Sequence, residues 1–98
     1  MSDTKFTPGP WRSYNNGPHH NNRSIDNWEI HWSDADECVV DHVYEEADAH
    51  LIAAAPDGYA LAELVMELCG QPHGVTELQS DLLYEEALSF TKKSRGEI

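Results

Sequence analysis

Between positions 24 and 91 the sequence contains no lysine and no arginine, although that stretch holds every acidic residue except Asp3 and Glu97. The whole chain carries 18 acids against six bases, a formal charge of -12. A surface of this kind has no internal counter-charges; its negative field repels nucleic acid and anionic membrane and attracts basic protein surfaces. Direct nucleic-acid binding is therefore not expected. Cysteine is scarce as well. Cys38 and Cys69 allow one bridge at most, which is no disulfide framework, so a reducing cytoplasm is the expected setting and the sequon Asn22-Arg23-Ser24 has no consequence there. No run approaches the ~18 consecutive apolar residues of a membrane span. Met1-Ser2-Asp3-Thr4-Lys5 lacks a basic segment leading into an apolar one, so no export signal is expected. Also missing are a Gly-rich phosphate loop ending in Lys-Ser or Lys-Thr, a dinucleotide fingerprint and a Gly-x-Ser-x-Gly elbow. The acids are numerous, but none is marked by its neighbours as buried or paired. Catalysis is not expected, and no catalytic residue or cofactor is assigned.

What is present predicts a folded chain. A length of 98 residues suits one domain, and three Trp with four Tyr supply large apolar surfaces that a disordered acidic chain lacks. Residues 1–27 are rich in Pro, Gly and Asn and read as turns and extended pieces. Within them Trp11-Arg12-Ser13-Tyr14 forms a short edge strand ended by the turn Asn15-Asn16-Gly17. Trp28-Glu29-Ile30-His31-Trp32 alternates strictly, with three large apolar groups on one face and Glu29 and His31 on the other. The turn residues Ser33-Asp34-Ala35-Asp36 then lead into a β-rich return strand over 37–44, so that residues 28–44 make a hairpin.

From Glu45 the composition changes to helix formers, and residues 45–94 read as helices. Pro56 divides the first stretch into two segments meeting at Pro56-Asp57-Gly58, and Gly70, Pro72 and Gly74 end the second. Thr76 and Gln79 fit a capping box that opens a last helix running to about Ser94, with Leu83, Ala87 and Phe90 on its inner face. The order predicts an α+β fold, a small antiparallel β-sheet packed against two to three α-helices. Trp28, Ile30, Trp32, Leu51, Leu64 and Phe90 are its expected core.

Two Cys-x3-His pairs, Cys38 with His42 and Cys69 with His73, invite a zinc reading. Residues four apart on an extended strand lie about 13 Å apart, so Cys38 and His42 cannot share a metal without a bulge. Buried cysteines beside surface histidines are the expectation, and no metal site is assigned. His19-His20 has no sequence neighbour to complete a site. Asp34, Asp36 and Glu37 lack the twelve-residue loop, central Gly and terminal Glu of a calcium hand.

The run Thr7-Pro8-Gly9-Pro10-Trp11, a hairpin, and then Glu46-Ala47-Asp48-Ala49-His50-Leu51-Ile52-Ala53-Ala54-Ala55-Pro56-Asp57 together resemble a largely uncharacterised family of small proteins from tailed phages and prophages. The closing Lys92-Lys93-Ser94-Arg95-Gly96-Glu97 is also similar, whereas Gly58-Tyr59 stands where members commonly have Leu-Leu. The resemblance implies a phage origin and expression in a bacterial cytoplasm, and it implies no enzyme. Combined with the charge, it gives the expectation of a counter-defence protein that docks on a basic surface of a host protein, as an anti-CRISPR or other nucleic-acid mimic does. The residues expected to bind are Asp34, Asp36, Glu37, Asp41, Glu45, Glu46 and Asp48. One alternative is an oligomeric sponge for a nucleotide immune signal, of the anti-CBASS or anti-Thoeris type. Another is an accessory phage interaction protein without inhibitory role. The oligomeric state stays open.

Overall fold

Strands β1 (Trp11–Pro18), β2 (Asp26–Trp32) and β3 (Cys38–Val43) form one antiparallel sheet in the order β1-β2-β3. Helices α1 (Glu46–Ala53), α2 (Ala55–Cys69) and α3 (Glu77–Ser94) follow. This is the α+β architecture expected from the sequence, here in a computed structural model that describes residues 6–18, 23–32 and 38–97. The turn expected at 33–36 lies outside the described residues.

β1 is longer than the expected edge strand, because Asn15-Asn16-Gly17 bends the strand without ending it. Gly17 takes a φ of +93°, its N–H donates to Asn15 Oδ1 at 2.9 Å, and the register with β2 shifts between Asn15 and Pro18. Asn15 also donates from Nδ2 to Asp26 Oδ2 at 2.8 Å, which ties the bulge to the neighbouring strand. On the other side of β2, Ile30 pairs with Val40 and Trp28 with Val43, so three residues of β3 span two of β2. His42 absorbs the extra residue at a φ of +59°. The bulge keeps both valines against the core, which strict alternation would forbid.

Glu45 is the N-cap of α1, as the change in composition indicates, and acids in the first turn favour the positive helix end. The break between α1 and α2 falls at Ala54, earlier than Pro56-Asp57-Gly58. Pro56 lacks the N–H needed to continue α1 and occupies the first turn of α2, where no donor is required. Asp57 N and Gly58 N then donate to Ala54 O at 3.0 and 3.1 Å. At the start of α3 the capping box is complete: Gln79 N donates to Thr76 Oγ1 at 3.1 Å, and Thr76 N donates to Gln79 Oε1 at 3.0 Å.

The core is smaller than its expected list. Ile30, Ala49 and Ala53 form the buried cluster, with Trp11, Trp28, Val39, Val40, Val43 and Ile52 packed around it. Trp28, Trp32, Leu64 and Phe90 are half-buried, and Leu51 is 58% exposed. The reason is helical phase: α1 reaches the sheet through its small residues Ala49 and Ala53, four apart, and Leu51 sits ~200° round the helix from Ala49. Alanines let the helix axis come close to the sheet, and the leucine is left outside. α2 and α3 form a hairpin that projects beyond this core, giving extents of 57 × 26 × 17 Å and a radius of gyration of 16.4 Å. A compact chain of this length has a radius of about 12.6 Å. The projection leaves Met66, Leu78 and Tyr84 exposed.

Candidate functional site

Asp41, Glu45, Glu46 and Asp48 are brought together where β3 hands over to α1, and all four are exposed. Asp34, Asp36 and Glu37 lie outside the described residues. Among the described residues the Lys and Arg ion pairs are Lys93 with Asp57 and Arg95 with Glu97, neither of which involves a β3–α1 acid. Among the described residues, two of the β3–α1 acids meet imidazoles: His42 Nε2 lies 3.8 Å from Asp41 Oδ2, and His50 Nε2 lies 3.1 Å from Glu46 Oε2. Among the described residues, this exposed face therefore has no Lys or Arg ion pair.

β1, β2 and the C-terminal run meet around His50. Its Nδ1 is 3.1 Å from Ser13 Oγ, and its ring meets the ring of Trp28 edge-on, with centroids 5.4 Å apart. Gly96, at a φ of +76°, packs over the same ring so closely that a Cβ there would sit 2.5 Å from Cδ2. The Thr7–Trp11 motif is fixed from both sides: Trp11 Nε1 donates to Thr7 O at 3.0 Å, and a Cβ on Gly9 would sit 2.7 Å from Pro56 Cβ. Between these segments lies an open cavity of about 420 Å³ lined by Pro10, Trp11, Arg12, Ser13, His50, Ala53 and Lys93. In a chain this acidic, the lining contains two cations and no carboxylate. Lys93 Nζ is 2.6 Å from Asp57 Oδ2, a charge contact rather than an aligned hydrogen bond, whereas Arg12 has no carboxylate partner among the described residues.

A third cluster lies on the outer face of the sheet. β2 alternation turns Glu29 and His31 away from the helices, and His31 pairs across the sheet with Cys38. His31 Nε2 is 2.9 Å from Glu29 Oε1, while Glu29 Oε2 accepts from Asn16 Nδ2 at 2.9 Å. Cys38 Sγ donates to Val40 O at 3.0 Å. Partial desolvation, then the charges of Glu29 and Asp41, push the Cys38 thiol above its ordinary value. Cys38 and Cys69 are both exposed, which corrects the expectation of buried cysteines. The cluster uses Cys38 without His42, and neither Cys69 nor His73 belongs to it. Sequence spacing did not bring Cys38 together with Glu29 and His31, because the grouping depends on β2–β3 register.

The family model described as Salmonella phage P22 protein Y8K6 matches residues 1–98. No curated protein and no solved structure matches the chain.

Proposed function

The chain belongs to the family of Salmonella phage P22 protein Y8K6, and on that premise we propose that it is a non-enzymatic counter-defence protein that docks its acidic β3–α1 face on a basic surface of a host protein in the bacterial cytoplasm. The observation that supports this reading is the exposed group Asp41, Glu45, Glu46 and Asp48, which lacks any Lys or Arg partner among the described residues. Asp34, Asp36 and Glu37 extend the group in sequence. Spaced carboxylates on a rigid strand end and a helix N-terminus imitate the charge of a nucleic-acid backbone and fit a groove that normally holds one. Among the described residues no helix is long and apolar enough to cross a membrane.

The test compares two sets of isosteric changes in the partner-binding assay. Asp41, Glu45, Glu46 and Asp48 changed together to Asn or Gln should weaken binding by at least tenfold. The same treatment of Glu67, Glu77, Asp81 and Glu85 on the helical hairpin should leave it within about twofold. Wild-type binding should also fall steeply with salt, since the Debye length is ~8 Å at physiological ionic strength. Equal losses from both sets would show that net charge matters and location does not. The nucleotide-sponge reading draws on a separate observation, the carboxylate-free cavity with Arg12, Lys93 and the Trp11 ring. It expects a nucleotide to co-purify and to be lost on Arg12→Ala, with no response to the acidic-face changes.

A further inference from the structure

We infer that the outer face of the sheet carries a zinc-class metal site made by Glu29, His31 and Cys38. One carboxylate oxygen, one imidazole nitrogen and one thiol sulfur lie mutually within 4.8 Å there. This mixed oxygen, nitrogen and sulfur donor set selects zinc over magnesium or calcium, which take oxygen ligands alone. Metal–ligand bonds of ~2.0–2.3 Å in a tetrahedron place donor atoms about 3.3–3.6 Å apart. Reaching that spacing opens the present 2.9 Å contact of His31 with Glu29 slightly. It draws Sγ of the exposed Cys38 in by ~1.2 Å at most, within the reach of a side-chain rotation.

Two further features favour a metal over a chance grouping. Glu29 and His31 stand two apart on one face of β2, and Cys38, the first residue of β3, is the register partner of His31, so strand pairing brings the third ligand to the other two. Asn16 on β1 holds the second oxygen of Glu29 at 2.9 Å, and the Tyr14 ring lies against the His31 ring with centroids 4.8 Å apart. These are the outer contacts that orient ligands in metal sites. The exposed fourth position is left to water. Binding releases the thiol proton, and the ring nitrogen that takes the metal binds as neutral imidazole.

Cobalt(II), a spectroscopic substitute for zinc, is the probe. Titrating it into the metal-free full-length protein should give one equivalent per chain, with a thiolate-to-metal band in the near ultraviolet that zinc abolishes. Cys38→Ser should remove that band, and His31→Ala should weaken binding by at least tenfold. Asn16→Ala should weaken it about tenfold. Cys69→Ser and His42→Ala should leave stoichiometry and spectrum unchanged. The wild-type spectrum alone is decisive: binding without a thiolate band overturns the inference, as does failure to bind cobalt below about 0.1 mM. Loss of the band in Cys69→Ser, with retention in Cys38→Ser, would overturn it in favour of the other cysteine.

Discussion

Ile30→Ala is the change that tests the core most directly. Among the described residues Ile30 is the largest side chain that is fully buried, and it stands against Ala49 and Ala53 with no exposed edge through which water can fill a gap. The substitution removes three carbon atoms, at ~0.8 kcal/mol each for lost burial, or roughly 2.4 kcal/mol. The alanines opposite are too small to close the void, so a cavity term adds about 1 kcal/mol. A total of about 3–4 kcal/mol corresponds to a drop in Tm of roughly 12–30 °C for a domain of this size. Ile30→Val should cost only about 1 kcal/mol. Leu51→Ala, at a residue 58% exposed, should cost less than about 1 kcal/mol. Urea unfolding followed by Trp fluorescence measures all three. Ile30→Ala costing less than about 1 kcal/mol, or Leu51→Ala costing as much as Ile30→Ala, would refute the placement of the core on the Ala49–Ala53 stripe.

Gly58→Ala should destabilise by about 1–2 kcal/mol despite the better helix propensity of alanine, because its Cβ would meet the Phe90 ring at 2.7 Å. The same change in a Phe90→Leu background should be neutral or stabilising in thermal unfolding, and an unrelieved loss there would exclude the clash as the cause. Thr76→Ala removes the hydroxyl that accepts from Gln79 N and should lower stability by about 1 kcal/mol, read by urea titration. Metal-free Cys38 should need a higher pH for alkylation than an unperturbed thiol. Glu29→Gln should lower that pH by removing one of the two charges that raise the thiol, and an unchanged or higher midpoint would contradict the assignment.

Local signals were enough wherever a few consecutive residues decide the outcome. The alternation of Trp28, Ile30 and Trp32 defined β2, and Thr76 with Gln79 marked the start of α3 two turns before its apolar stripe begins. Pro56 announced a break because a missing N–H acts on its own helix, and the α+β order followed from strands preceding helices. Net charge and its one-signed distribution also belong to the sequence alone, since they require no contacts. Three features needed the tertiary structure. Helical phase against the sheet decided that Ala49 and Ala53, not Leu51, face inward, and hydrophobicity alone ranks them the other way. Bulges at Asn15 and His42 decided how far β1 runs and which β3 valines reach the core. Strand register decided that Cys38 meets His31 and Glu29 across the sheet rather than His42 along its own strand. The physical reason is common to all three: a strand or helix fixes which of its own side chains share a face, but the neighbour that each face meets is set by long-range pairing, which spacing in one chain does not encode.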